Sequence, residues 1–305
     1  MDRETIGFIG LGLMGHGMAK NILEKGFPLT IMGHRNRAPV EDLVARGAHE
    51  VKTPHEVAEN ATIVFLCVTG SKEVEELIFA ADGLSAGARH DLIIVDTSTS
   101  DPTSTERIAT ALADQGVTFV DAPLARTPRE AEAGTLDTMV GCDEATLARL
   151  KPVLQTWAAR ITHVGPVGNG HKLKLINNFI AMGYAAIYAE ALALGKKVGI
   201  EPQLIDSVIR DGRMSCGFYN TFMQYVLERD REAHAFTLRN ALKDMRYVDA
   251  MANAAGLANP IGNAVKNGFA TAVNIGRGED YVPMLSDIVA ELNGTSLVQL
   301  SAQAG

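Results

Sequence analysis

Short apolar runs separated by helix-like stretches fill the first half of the chain. Ile6-Gly7-Phe8-Ile9 reads as a buried strand leading into a helix over 16–24, and further strand candidates lie at 29–32, 62–68, 92–95 and 118–120. Strands that alternate with helices at this spacing indicate βαβ units and a parallel sheet. Around Gly168 the character changes. From 171 to 197 the chain runs almost without a turn signal, apolar on most faces, with Ala181, Gly183, Ala185, Ala186 and Ala189 among the larger residues. A helix apolar nearly all round is a buried one, and its small residues let neighbouring helices approach closely. Beyond it only helical periodicity remains, over 202–210, 218–228, 238–255, 261–273 and 282–292, with Asp211-Gly212, Gly256 and Asn259-Pro260 as breakers. The predicted architecture is an α/β domain over 1–168, a long interdomain helix over 169–197 and an all-helical domain over 198–305.

Composition narrows the function classes. The length of 305 residues suits two ordinary domains. Lys plus Arg number 28 against 36 Asp plus Glu, a net charge of −8, so the chain has no reason to seek phosphate backbones or anionic lipid. No nucleic-acid and no membrane partner is expected. Cys67, Cys142 and Cys216 lie far apart with no CxxC spacing, which suits a reducing compartment, and the eight histidines form no HExxH or Cys/His cluster, so no metal site is expected. The N-terminus carries acids followed at once by glycines, unlike a signal peptide. The longest apolar stretches, 61–69 and 180–189, fall short of the roughly 20 residues of a membrane span. The sequence is read as a soluble cytoplasmic protein.

Gly10-Leu11-Gly12-Leu13-Met14-Gly15 follows the first strand and opens the first helix. In that strand–turn–helix setting GxGxxG is the dinucleotide-binding fingerprint of a Rossmann domain. The first glycine permits the tight turn, the second lets the backbone approach a pyrophosphate, and the third allows close helix–strand packing. The helix N-terminus offers free N–H groups to the phosphates. The second strand ends in Met32-Gly33-His34-Arg35-Asn36-Arg37, and no acid occurs from Phe27 to Val40. A carboxylate here would bind a ribose 2′-hydroxyl and repel a 2′-phosphate, whereas a guanidinium makes charge-assisted bonds to the phosphate. NADP is therefore preferred over NAD. The alternative is solvated arginines, with NAD accepted through His34 or Asn36.

The join between the halves, Gly165 to Asn178, combines glycines, lysines and two asparagines at the start of an otherwise apolar helix. Lys174 and Asn178 are four apart and share one helical face. A partly desolvated lysine exchanges protons near neutrality, and the Asn178 amide can orient a substrate oxygen beside it. Spacing alone leaves a snorkelling surface lysine as an equal reading. His171 reads either as a second acid/base or as a group bonded to backbone. Trp157 and the methionines read as packing residues.

At this point the sequence resembles the β-hydroxyacid dehydrogenase family, whose members include 3-hydroxyisobutyrate dehydrogenase and tartronate semialdehyde reductase. The resemblance covers essentially the whole chain. It rests on Gly7–Gly15, on Asp96-Thr-Ser-Thr-Ser-Asp-Pro102, on Asp121-Ala-Pro123 followed by Gly134-Thr-Leu136, on Lys174–Asn178 and on Lys243-Asp244, in the family's order and spacing. It implies that Lys174 is the general acid/base and that Asn178 binds the reacting substrate near its hydroxyl. Thr99 would lie close to the nicotinamide and to substrate, and Lys243 would contact the cofactor and close the site from the helical domain. The site would occupy an interdomain cleft, with subunits pairing through their helical domains into a homodimer or homotetramer.

Two departures matter. Where many members carry Ser-Gly-Gly after the Asp-Ala-Pro-aliphatic run, this chain has Leu124-Ala125-Arg126-Thr127-Pro128-Arg129, a substrate segment with a guanidinium. A similar Arg-Thr occurs in sulfolactaldehyde reductase, where it faces a sulfonate, and an Arg fork suits any bidentate oxyanion. Val68-Thr69 replaces a usual Leu-Pro pair and alters the adenine-side wall. The expected activity is NADP-preferring interconversion of a small β-hydroxyacid, or a sulfonate analogue, with its semialdehyde. The competing readings are an imine reductase, which shares the architecture but usually lacks the lysine, and a cofactor-binding scaffold without turnover.

Overall fold

The computed structural model describes residues 4–298. Residues 1–3, on which part of the N-terminal reading rests, and residues 299–305 lie outside it. The chain forms two compact units, Met1–Lys174 and Leu175–Gly305.

The first unit alternates β1 (Ile6–Ile9), α1 (Gly15–Glu24), β2 (Leu29–Met32), α2 (Ala38–Ala45), β3 (His49–Val51), α3 (Pro54–Glu59), β4 (Ile63–Leu66), α4 (Ser71–Phe79), α5 (Leu84–Gly87), β5 (Ile93–Asp96), α6 (Pro102–Ala113) and β6 (Thr118–Asp121). The six strands form one parallel sheet in the order β3-β2-β1-β4-β5-β6. Side chains alternate between its two faces. Ile6, Phe8, Ile31, Ile63, Phe65 and Val95 build a core on one side, and Ile9, Val64, Leu66 and Ile94 build a second on the other. Being covered on both faces, the strands read as continuous apolar runs, which is why they were visible in the sequence. The strand order reverses between β1 and β4, and ligands of open α/β sheets bind at the carboxyl ends of the strands near such a reversal.

A small sheet follows, made of β7 (Leu124–Ala125), then α7 (Pro128–Ala133), β8 (Leu136–Val140), α8 (Glu144–Leu154) and β9 (Ala158–His163), in the order β7-β8-β9. These three strands and β3 were not foreseen. β3 and β7 are only three and two residues long, β8 is buried but interrupts its apolar residues with Asp137 and Thr138, and β9 is mostly exposed, so none carries a continuous buried apolar run. Trp157 is fully buried and packs edge-on against Phe65 as a core residue.

The next helix, α9 (Asn169–Lys197), starts in the first unit and continues into the second, where α10 (Pro202–Ile209), α11 (Gly217–Glu228), α12 (Leu238–Ala254), α13 (Pro260–Ala272) and α14 (Leu285–Leu292) complete an all-helical body. Helix α9 is not buried all round. Leu175, Met182, Ala185, Ala189 and Leu192 pack into the helical core, while Leu173, Ile176, Ile180, Tyr184, Ile187 and Leu194 are exposed. Against the sequence expectation, this helix is long and apolar enough, by length and composition alone, to cross a membrane. Its packed stripe accounts for part of that composition.

Glu4, just before β1, accepts hydrogen bonds from Arg149 on α8 (Nε to Oε1, 2.7 Å; Nη2 to Oε2, 3.1 Å) and from the Thr62 hydroxyl. The Arg149 hydrogen bond, aided by Thr62 and opposed by burial, holds the Glu4 carboxyl below its ordinary value of 4.5. A group depressed on folding stabilises above its unfolded pKa, and that contribution is lost as pH falls through the folded value. Glu4→Gln is expected to lower Tm at pH 7, with the gap from wild type closing as pH drops below 4.5. A gap that stays constant on acidification contradicts this linkage.

Candidate active site

The loop after β1 has the geometry a dinucleotide requires. Gly10 sits at φ +101°, and a Cβ there would lie 2.1 Å from the Cys67 carbonyl oxygen; a Cβ on Gly15 would lie 1.9 Å from the Gly10 carbonyl oxygen. Both positions are closed to any side chain. Nothing approaches within 4 Å of a Cβ built on Gly12, so the second glycine faces open space where a phosphate can come close to backbone. The first turn of α1 carries no acid and no side-chain cap, leaving its N–H groups and partial positive charge for an anion. Leu11 is half-buried and Leu13 exposed along the same loop. The dinucleotide fits these residues. Cys67 contributes only a wall, because burial pushes its thiol up to about 11.

The two arginines after β2 differ in state. Arg37 is held in a bidentate pair by Glu50 of β3, Nη1 to Oε1 at 2.7 Å and Nη2 to Oε2 at 2.8 Å. Arg35 is exposed and makes no hydrogen bond or ion pair among the described residues. His34 and Asn36 are also exposed, and Asn36 Oδ1 accepts from the Ala38 N–H.

The loop after β5 is wrapped around the buried Asp96 carboxylate, which accepts from the Ser98 N–H (2.9 Å) and the Ser100 hydroxyl (2.7 Å). Ser98 in turn accepts from the Val68 N–H at 2.9 Å, tying the Val68-Thr69 wall to this loop, with Thr99 half-buried between the two anchored serines. His171 lies beneath, fully buried. Its Nε2–H donates to the Ser98 carbonyl (3.2 Å), and Nδ1 bonds the Thr105 hydroxyl (2.7 Å). Both ring nitrogens are engaged, so His171 is a structural group and not a second acid/base.

Asp121, at the end of β6, accepts the Gly168 N–H (2.7 Å) and the His171 N–H (2.8 Å). Its carboxylate is flanked by two glycines. A Cβ on Gly141 would lie 2.3 Å from Oδ1, and one on Gly170 would lie 2.8 Å from Oδ2. Burial pushes the Asp121 carboxyl above the ordinary aspartate value, with His171 and the two backbone N–H groups pulling it back. The first turn of α9 is thereby fixed, and one turn later stand Lys174, half-buried, and Asn178, buried. Asn178 Nδ2 donates to Asp244 Oδ2 of α12 at 2.6 Å, and Lys243 Nζ lies 3.2 Å from the other Asp244 oxygen.

The segment 124–127 shows how its departure from the family is accommodated. Leu124 and Ala125 form β7. Arg126 adopts φ +84°, a left-handed conformation that favours glycine, the residue that the Ser-Gly-Gly of the resembled family would place here. Its Nε lies 3.1 Å from Asp137 Oδ2 of β8, and Arg160 Nη2 of β9 reaches the same oxygen at 2.9 Å. Two guanidinium groups thus share one carboxylate. Thr127 has spent its N–H (3.0 Å) and hydroxyl proton (2.5 Å) on Glu130, as the N-terminal cap of α7. Glu50 and Asp137 were not singled out from sequence, and Asp244 entered only as half of the Lys243-Asp244 pair that the resemblance links to the cofactor. Only Asp244 left a signal, standing beside Lys243 in a recognised motif.

Comparison with known proteins places this geometry. Residues 5–165 match the model of the NAD binding domain of 6-phosphogluconate dehydrogenase, and residues 168–286 match that of the NAD-binding region of NADP-dependent 3-hydroxyisobutyrate dehydrogenase. The chain is 33% identical to a 3-hydroxyisobutyrate dehydrogenase of Pseudomonas aeruginosa, over 87% of this chain and 90% of the relative. The chain belongs to the β-hydroxyacid dehydrogenase family. It is an NAD(P)-dependent oxidoreductase, and homologues point to small hydroxyacids and semialdehydes as its substrate class. A 3-sulfolactaldehyde reductase of Escherichia coli is 28% identical over 97% of this chain and 99% of its own length. The solved 3-hydroxyisobutyrate dehydrogenase of Mycobacterium tuberculosis, studied with L-serine, superposes with a TM-score of 0.84 at 25% identity, covering 94% of this chain and 99% of that one.

The Arg126 backbone yields a test free of its charge. Arg126→Gly and Arg126→Ala both remove the guanidinium, and at a left-handed φ the glycine variant is expected to be more stable by about 1 kcal/mol, the reverse of the usual order. Denaturant melts that rank alanine above glycine contradict the strained conformation.

Proposed function

We propose that this oxidoreductase prefers NADP and interconverts a short anionic β-hydroxyacid with its semialdehyde, with Lys174 as the proton carrier. The observation that carries the reading is the pairing of a half-buried Lys174 with a buried Asn178 one turn on, on a helix whose first turn is gripped by Asp121. When bound, the nicotinamide supplies or takes the hydride at the carbonyl carbon. Lys174 gives its ammonium proton to the substrate oxygen during reduction and takes the hydroxyl proton back during oxidation. Asn178 holds that oxygen in line.

The segment Gly10–Gly15 would cradle the pyrophosphate, Val68 and Thr69 would wall the adenine side, Thr99 would flank the nicotinamide, and Lys243 is the late cofactor contact the family resemblance implies. Arg35, with no partner among the described residues, is the group that would take a 2′-phosphate, because Arg37 is neutralised by Glu50. At the substrate's anionic end, Arg126 has its Nε beside Asp137 and leaves both Nη nitrogens for a carboxylate, sulfonate or phosphate. Thr127, whose hydroxyl donates to Glu130, leaves that role to Arg126.

Ile180, Tyr184, Ile187 and Leu194 form an exposed apolar stripe along α9, and Val198, Leu204 and Val208 beyond it are exposed as well. This face fits a second copy of the chain, since contiguous apolar surface of this kind marks an interface. Light scattering after size exclusion is expected to show a dimer or tetramer that Ile187→Glu weakens. A monomeric wild type rejects it.

Two substitutions separate the chemical and binding roles. Lys174→Ala is expected to lower kcat by about 10²–10⁴-fold with NADPH binding nearly unchanged; a loss below about tenfold reassigns the proton carrier. Arg35→Ala is expected to weaken NADPH binding by about 10–100-fold, as for a lost charge-assisted hydrogen bond, and NADH far less. Equal weakening of both removes the 2′-phosphate reading.

A further inference from the structure

Asn178 occupies an apolar position. Along α9 the buried stripe runs Leu175, Asn178, Met182, Ala185, Ala189, with the asparagine 7% exposed in the middle of it. A primary amide in such a place is costly unless hydrogen-bonded. Its partner is Asp244, itself 1% exposed, which accepts from Asn178 Nδ2 at 2.6 Å. A carboxylate only accepts, so the amide has one permitted flip, with Nδ2 on Asp244 and Oδ1 turned away from it. The neighbouring Asn177 does not fix that flip, since its Nδ2 stands 3.5 Å from Oδ1, beyond a good hydrogen bond. The Asp244 charge is balanced by Lys243, whose Nζ is 3.2 Å from Oδ1, although no aligned hydrogen bond reaches that oxygen. Lys243 itself lies over the Tyr247 ring, 5.4 Å from its centroid.

The family resemblance assigned Asp244, with Lys243, to cofactor contact. Its burial argues otherwise, because a carboxylate with almost no open surface touches neither cofactor nor substrate. We propose that Asp244 is a positioning residue for the reaction, acting through Asn178 by locking its amide in the one flip that presents Oδ1 and the second N–H to the substrate. The bond is charge-assisted and also strengthens Oδ1 as an acceptor. Asp244→Asn removes the constraint while keeping size and shape, since an amide at 244 can donate to or accept from either end of Asn178. This inference rests on the reading of Lys174 and Asn178 as the reacting pair.

The test is a double-substitution cycle on the full-length enzyme. Saturating NADPH and a short semialdehyde are used, chosen as the fastest among succinic semialdehyde and its sulfonate and phosphate counterparts. Asp244→Asn is expected to lower kcat about 10–100-fold, the loss matching one charge-assisted hydrogen bond, with NADPH binding little changed. In an Asn178→Ala background the same substitution is expected to cost less than about twofold, because its route of action is gone. Equal losses in both backgrounds overturn the proposal and leave Asp244 as a fold residue. If Asp244→Asn melts early, Asp244→Glu, which keeps the charge and displaces the acceptor, is expected to give the same pattern. Its failure to lower kcat also overturns the proposal. Retention of full kcat by Lys174→Ala sinks the underlying reading instead, a result distinct from either outcome of the cycle.

Discussion

The Asp121 carboxylate accepts the N–H groups of Gly168 and His171 and so holds the first turn of α9 against the end of β6. Lys174, in the same unit, follows that turn directly on the helix. The carboxylate reaches these N–H groups only because residues 141 and 170 carry no side chain. His171 closes the arrangement from below, joining the helix to the Thr105 hydroxyl of α6 and to the Ser98 carbonyl of the loop after β5. The loop expected to face the nicotinamide and the helix expected to carry the proton donor are thus bonded to one another inside one unit. Burying a carboxylate is expensive unless it is paired and hydrogen-bonded. Here backbone donors and a histidine offset part of that cost, and the result is an anchored start for the helix that carries Lys174.

The same logic, a carboxylate deciding what a polar neighbour can do, recurs at three places. Glu50 pairs with Arg37 and leaves Arg35, beside it, without a partner among the described residues. Asp137 holds Arg126 by its Nε side, in company with Arg160, so the cluster keeps one net positive charge. Glu130 consumes the donors of Thr127. On the proposed reading, selectivity for a 2′-phosphate and for a substrate anion would depend as much on these acids as on the arginines read from the sequence.

The large sheet and the helical half were legible because their physics is periodic. Strands covered on both faces gave unbroken apolar runs, and the helices of the second unit kept their apolar stripes. The glycine loop was legible because Gly10 and Gly15 tolerate no Cβ. What stayed hidden was short or long-range. β7 pairs through two residues, and β9 exposes most of its length. The partners of Arg37, Arg126 and Asn178 lie 13, 11 and 66 positions away in sequence, beyond any local period. Helix α9 was read as buried all round because composition does not distinguish a packed face from an exposed apolar one. Asn178 carried a signal that periodicity alone supplies: an amide at the centre of the stripe from Leu175 to Ala189 demands a buried partner.

The account stands or falls on turnover of an anionic aldehyde at the expense of NADPH. The direct measurement is the initial rate of NADPH oxidation, at one pH, with short semialdehydes bearing carboxylate, sulfonate or phosphate, compared with an uncharged aldehyde of equal length. The account requires at least one anionic semialdehyde to be reduced with a kcat/KM well above that of the uncharged control, and requires Arg126→Ala to erase that margin. Binding of NADPH without oxidation by any of them, or an uncharged aldehyde reduced equally well, contradicts it.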